Sequence, residues 1–276
     1  MTTTRSTEGA RMRPQGYDIG DIAGHVLWSL SSCLSRLNPH VMKQALRQVR
    51  NIREAPLRFG GRLPEPETYA QQVEYTLPFE GWWLVANGGT IPETSHSWDL
   101  VEQRYAYGFV RIEESGHMFT EKGVRLTDYF AYGALILAPA EGVVVKVRDD
   151  IRDWPIVGTI DFTAPDIRGN FVVIQHAANE YSLLAHLRRG SICVRPGERV
   201  RRGPKIAECG NSGHFTQPHL HFQVQDRQDC FESLFLPVGF ARFKRWPSAG
   251  ERPSPDFLQK GDRVAGSPIL ECQGKS

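Results

Sequence analysis

The chain has 276 residues, 40% of them hydrophobic, with 26 Gly and 18 Pro and a formal net charge of only +2. That composition suits a turn-rich globular fold and gives no whole-chain electrostatic case for nucleic-acid binding. The five cysteines are an odd number without a Cys-x-x-Cys pair, which indicates neither a zinc ribbon nor a disulfide framework.

Residues 1–65 read as a polar and helical N-terminal extension, with a charge of +5 against −3 for the rest of the chain. Residues 1–16 are polar and expected to be loose. Ile22 to Leu37 is the most apolar N-terminal stretch, but Gly24, His25, four serines and Arg36 interrupt it. It falls short of the ~20 apolar residues of a spanning helix, so no clear membrane span is expected. Asp18 and Asp21 precede it where a signal peptide carries positive charge, and the compartment stays open. Asn38-Pro39 has the form of an N-cap followed by proline at the first helical position. Met42, Leu46 and Val49 then recur at helical spacing, with Lys43, Arg47, Arg50 and Arg53 on other faces. Such a helix either lays its basic amphipathic surface on an anionic membrane or wall polymer, or packs on the core and leaves the basic face in water. The second reading is preferred.

Residues 66–245 carry the strand and turn signals. Leu135 to Val147 reads as strand, turn and strand, and Glu180 to Leu187 as a short apolar run with His186 near its end. Pro196-Gly197 and Gly203-Pro204 mark turns, and Cys209 to Gly213 is a further turn signal. It leads into Gln217-Pro218-His219-Leu220-His221-Phe222, which puts two imidazoles on one face of a strand, roughly 6 to 7 Å apart. One can bind a metal while the other handles a proton. On that spacing alone, two half-buried histidines on a solvated face are the preferred reading. Cys209, ten residues before His219, allows a Cys–His protease as a third option. Residues 246–276 are rich in Pro, Gly, Ser and charge and read as a C-terminal tail, with Val264 to Leu270 as a possible edge strand.

Gly169-Asn170-Phe171-Val172-Val173-Ile174-Gln175-His176, Ala185-His186-Leu187, the Pro-Gly…Val…Gly…Ile hairpin and Gly210-Asn211-Ser212-Gly213…Pro218-His219-Leu220-His221-Phe222 follow one another in order. Together they resemble the lysostaphin-type zinc metallopeptidases, endopeptidases that cut peptidoglycan cross-bridges, over about residues 75 to 245. The resemblance implies a mostly β fold with an antiparallel core and zinc as cofactor. It implies His221 as a metal ligand, His186 and His219 as catalytic histidines, and a peptidoglycan peptide or other peptide rich in small residues as substrate. It also implies an upstream histidine and aspartate as the other ligands. His96 fits the histidine in Ser95-His96-Ser97-Trp98, whereas the aspartate position, just before Phe109, is Gly108. Asp99, Glu102 and Asp128 are candidate substitutes. The expectation is therefore a zinc-dependent endopeptidase; the alternative is a catalytically degenerate relative that binds cell wall or a partner enzyme. His117, His176 and His214 are expected in ordinary loop or strand-end roles, with a place lining the groove as the alternative for His214, and His25 and His40 lie outside the resemblance.

Overall fold

A computed structural model describes residues 30–54, 56–98, 103–120, 122–251 and 255–266. Its strands, in chain order, are β1 (Tyr75–Thr76), β2 (Gly81–Asn87), β3 (Tyr107–Arg111), β4 (Leu135–Leu137), β5 (Gly142–Arg148), β6 (Asn170–Ala177), β7 (Glu180–Leu187) and β8 (Arg199–Val200). They continue with β9 (Lys205–Glu208), β10 (Leu220–Gln225), β11 (Phe235–Leu236), β12 (Phe240–Ala241), β13 (Phe243–Arg245), β14 (Ser248–Glu251) and β15 (Arg263–Gly266). Most join one sheet in the order β14-β13-β15-β2-β3-β10-β7-β6-β5-β8, with β11 also on β10. Every pairing in that sheet is antiparallel. The chain is thus mostly β with an antiparallel core and an N-terminal helix, as its alternation and turn residues imply.

The two faces of β10 fix what the sheet can do. Leu220, Phe222 and Val224 are buried in the main apolar core with Trp83, Phe109, Phe240 and Phe243. Side chains alternate along a strand, so His221, Gln223 and Gln225 point to the other side, as does His219 just before the strand. A run with period two on a strand paired on both edges therefore holds an apolar core on one face and a row of polar side chains on the other. The β10 register sets His221 beside Gly108 of β3 and Ala185 of β7.

Helix α1 (Pro39–Glu54) begins as its sequence predicts: Asn38 Oδ1 accepts from the His40 amide at 2.9 Å. The Asn38 amide also donates to the Phe162 and Ala164 carbonyls and anchors the helix start. The helix packs on the domain with Lys43, Arg50 and Arg53 in water, as expected, but its apolar stripe does not face inward. The inward face is polar: Gln44 accepts from the Ile167 amide, Arg47 pairs with Asp229 and Glu232, and buried Asn51 donates to the Ser233 carbonyl. The surface below α1 consists of carbonyls, amides and carboxylates, which polar side chains satisfy and an apolar stripe cannot. Met42, Leu46 and Val49 consequently face outward.

At the other end, β15 does not lie at an edge, where an extra strand was expected. It pairs with β13 on one side and β2 on the other, and Val264 is fully buried. The expectation rested on the polarity of residues 246–276; Arg263-Val264-Ala265 is too short a run to declare itself as an inner strand. Among the described residues, no helix is long and apolar enough to cross a membrane.

Candidate active site

Four imidazoles converge on the polar face of β10. The His186 and His219 ring centroids are 4.7 Å apart, those of His186 and His221 5.9 Å, and those of His96 and His221 5.4 Å. They arrive from separate elements: His96 from the segment after β2, His186 from the end of β7, His219 and His221 from β10 and the residues before it. A cavity of about 260 Å³ opens beside them, lined by His96, His186 and His221 together with Gln48 of α1, His214 and Phe231; His219 is not in its lining and lies against Phe215, 3.5 Å between ring centroids.

The backbone explains why His186 points inward. It sits at φ +61°, in the left-handed region that non-glycine residues seldom occupy. Its Nδ1–H donates to the Ser212 carbonyl at 2.8 Å, a contact that holds the residue there. Ser212 is itself locked: its Oγ accepts from the Asn170 amide and donates to the Leu187 carbonyl, while Asn170 bonds both polar groups of Ile151. Gly169 and Gly213 both have positive φ and pack backbone against backbone, so a Cβ on Gly169 would collide with Ser212 and one on Gly213 with Gly169. The Gly-Asn and Asn-Ser-Gly signals of the sequence are thus two halves of one clamp that aims His186.

Hydrogen-bond chemistry also settles the tautomers. Carbonyls only accept, so His186 and His219 carry their protons on Nδ1, facing Ser212 O and Gln217 O (3.2 Å). Each keeps an Nε2 lone pair for the site, and that of His219 is buried without a partner. His221 is set the opposite way, from a distance. The Gln225 amide donates to the Arg227 and Gln228 carbonyls, which fixes its NH2 and turns Oε1 towards Gln223. Gln223 Nε2 donates to that oxygen at 2.6 Å, so Gln223 Oε1 faces His221 Nε2, also at 2.6 Å, and accepts its proton. The relay, whose glutamines are 1% and 0% exposed, leaves the His221 Nδ1 lone pair for a ligand.

Burial dominates the electrostatics. It pushes the pKa of His96 down to about 3, helped by the nearby His221, and that of His186 down to about 3, again with His221 adding to it. Burial and the neighbouring His186 hold His219 well below its ordinary value. His221 is lowered by burial, against an opposing contribution from the Gln223 hydrogen bond. The four rings are therefore neutral, the form in which imidazole binds metals and accepts protons.

Two imidazoles on one tetrahedral zinc place their ring centroids about 5 Å apart, given Zn–N bonds of about 2 Å. The 5.4 Å separation of His96 and His221 fits such a pair. A third protein donor is what the surroundings lack: among the described residues, no group of three His, Cys, Asp or Glu side chains is placed to hold a metal ion. Gly108 offers no donor. Asp128, one candidate substitute, is engaged in its own turn, accepting from Arg125 and from the Val124 and Arg125 amides. Asp99 and Glu102 lie outside the described residues.

Residues 121–232 match the model of Peptidase family M23. That stretch, under half of the chain, is similar to M23 peptidases. Of the four converging histidines, His186, His219 and His221 lie inside the matched M23 stretch, and His96 before it. The peptidoglycan DD-endopeptidase ShyA of Vibrio cholerae is 43% identical over 92 residues, 33% of this chain and 17% of that protein. ShyB of the same organism, also a peptidoglycan DD-endopeptidase, is 45% identical over 74 residues, 27% of this chain and 17% of its own length. The chain thus spans about a sixth of the length of each of these relatives. Among solved structures, the catalytic domain of lysostaphin from Staphylococcus simulans aligns at a TM-score of 0.33 and 14% identity, over 56% of this chain and 88% of its own.

Two residues matter that sequence reasoning passed over. Gln223 and Gln225 could have been found, because two polar side chains alternate with core residues on a buried strand directly after His221. His214, expected as a solvated loop residue, instead lines the cavity with its Nε2 buried and unpartnered, and burial lowers its pKa. His176 is structural: its Nδ1–H donates to the Glu141 carbonyl and its Nε2 accepts from Ser182, both at 2.7 Å. His117 is exposed, as expected. Cys209 is fully buried in the core with its thiol pKa pushed up by burial, which removes the Cys–His option.

Proposed function

We propose that this chain is an endopeptidase acting on peptide cross-links of the bacterial cell wall, with His96 and His221 as metal ligands and His186 and His219 as the catalytic pair. The observation that carries this reading is the convergence of four imidazoles, three of which, His96, His186 and His221, line one cavity. The M23 match and the peptidoglycan DD-endopeptidase names of its relatives support the substrate class, peptidoglycan.

Bound zinc would supply a Lewis acid for the scissile carbonyl and would acidify a water. His96 and His221 are the residues that would hold it, and Gly108 leaves the expected third position without a donor. The remaining work falls to the free rings. His219 Nε2 takes the proton of the attacking water as the new C–O bond forms, and returns it to the leaving amine as the C–N bond breaks. His186 lies 4.7 Å away, centroid to centroid; with its one proton on Nδ1, its Nε2 lone pair accepts from the second hydrogen of the attacking water and orients it. Burial makes both rings weak bases in the resting site, and negative charge developing beside them reverses that bias.

A second reading, a degenerate domain that binds wall peptides without cutting them, draws on one observation, the missing donor at Gly108. Purified murein incubated with the protein, with added zinc or with a chelator, separates the two. Mass spectrometry of the soluble products should show newly freed amine and carboxyl termini with zinc, lost in His219→Ala. Murein that is bound but left intact at every zinc concentration would assign the chain to the binding module.

A further inference from the structure

We propose that the outward face of α1 docks on an anionic lipid bilayer. The helix is mounted with its polar side in: Gln44, Arg47 and Asn51 hold it to the loop before β6 and to the turn before β11. What faces water is the side that an amphipathic helix ordinarily hides. Met42, Leu46 and Val49 are 53%, 65% and 55% exposed, and Leu34, Leu37 and Leu57 on either side of the helix are exposed as well. At about 100° per residue, Met42, Leu46 and Val49 share a sector of about 60°, and Arg53 falls within it.

The charge on this face selects the occupant. Lys43, Arg50 and Arg53 are exposed on the outward side. Arg50 pairs with Glu54, the one acid of the helix, while Lys43 and Arg53 make no ion pair among the described residues. On the Lys43 edge, a cavity of about 200 Å³ between the helix and β5 is lined by Lys43, Arg47, Lys146, Arg148 and Arg168; all but Lys43 are paired with Asp150, Asp166, Asp229 or Glu232. An apolar strip with Arg53 inside it and Arg50 and Lys43 along one edge suits the headgroup boundary of an anionic membrane, where Arg and Lys stems lie along the apolar surface and their charges meet the headgroups. A second copy is a poorer fit, because a two-fold contact would bring Lys43, Arg50 and Arg53 against their own copies. Docking of this kind goes beyond the peptidase reading and does not depend on it.

Sedimentation of the full chain with vesicles tests the proposal, using phosphatidylcholine alone and phosphatidylcholine mixed with phosphatidylglycerol, at low and high salt. The expected result is binding to the anionic vesicles alone, weakening as salt rises. Met42→Asp with Leu46→Asp should abolish it. Lys43→Glu with Arg53→Glu should weaken it at least tenfold. Neither pair should alter the melting temperature by more than a few degrees, since all four side chains are outside. Equal binding to both vesicle types, or binding indifferent to both pairs, would overturn the proposal. So would a concentration-dependent dimer that Leu46→Asp dissolves, which would give the face to a second copy. A parent chain that ignores vesicles and is destabilised by the Asp pair would show the face to be covered within the chain, and the proposal would fail.

Discussion

Gly108→Asp is the substitution that asks most of the site. Residue 108 is in register with His221 on one side and with Asn87 on the other. A Cβ there would meet His219 Cδ2 at 3.6 Å and Asn87 Cβ at 3.7 Å, ordinary contact distances, and the backbone is not in the left-handed region. Paired residues of an antiparallel sheet share a face, so the carboxylate would enter the space beside the imidazoles. Partners of metal ligands matter by about 10- to 100-fold in affinity, and a donor bound to the metal should match at least the upper figure. A hundredfold gain is about 2.7 kcal/mol at fixed, saturating zinc, or a rise of roughly 5 to 10 °C in melting temperature for a domain of this size. Without metal the sign reverses, because a buried carboxylate with no cation costs about 1–3 kcal/mol. The variant should therefore melt below the parent in chelator and above it in zinc, and the crossing distinguishes ligation from a general effect on folding. Zinc titrations followed by calorimetry and scanning fluorimetry read both arms, with Gly108→Asn as the control of similar size. A folded Gly108→Asp chain with unchanged zinc affinity would refute the reasoning and return the search for a ligand to the segment after His96.

Three further outcomes are expected. His219→Ala and His186→Ala should each lower kcat on murein by about 10²- to 10⁴-fold while leaving zinc content within twofold, because neither ring is assigned to the metal; a parallel loss of zinc would move that ring into the ligand set. Gln225→Leu removes the group that orients Gln223 and so frees His221 to change tautomer; zinc affinity should fall about tenfold or more, and binding unchanged by calorimetry would show that the relay does not set the ligand. His176, which lies outside the candidate site, contributes to the acid limb of stability. Burial lowers its folded pKa to about 4 from 6.5, so the unfolded chain binds more protons between those values, and stability complete above pH 6.5 falls as the pH drops towards 4. At pH 5 its share is about 1–2 kcal/mol, and a denaturant-unfolding profile as steep in His176→Gln as in the parent would exclude it.

What the sequence revealed and what it hid follow from range. The His-Leu-His strand was legible because alternation is local: Leu220 and Phe222 inward and His219 and His221 outward need only the period of two. The Gly-Asn and Asn-Ser-Gly turns were legible as turns, but not as a clamp, since their contact joins residues about forty positions apart through Asn170 and Ser212. The inner place of β15 was hidden for the same reason: its partners, β13 and β2, lie at opposite ends of the domain in sequence. The mounting of α1 misled most directly. Hydrophobic periodicity identifies the apolar face of a helix, and burial of that face is assumed only because most helices lie on apolar cores. Here the receiving surface is polar, and no property of residues 39–54 taken alone could show it.

The arrangement of the four rings bears on the choice between a hydrolase and an inert relative. Each neutral imidazole held in the interior is a liability at mildly acidic pH, because protonation must wait for unfolding. His186 adds a backbone conformation at φ +61° that few side chains adopt, which persists only where the surrounding contacts enforce it. The Ser212 clamp enforces it on one ring, and the Gln223–Gln225 relay sets another from six residues away along the chain. These devices determine which nitrogen of each ring carries a proton. A surface that only grips a peptide gains nothing from that choice, since either tautomer offers one donor and one acceptor. A site that must present one lone pair to a metal and another to a proton depends on it, and the tautomer machinery is intact here even though the carboxylate at position 108 is absent.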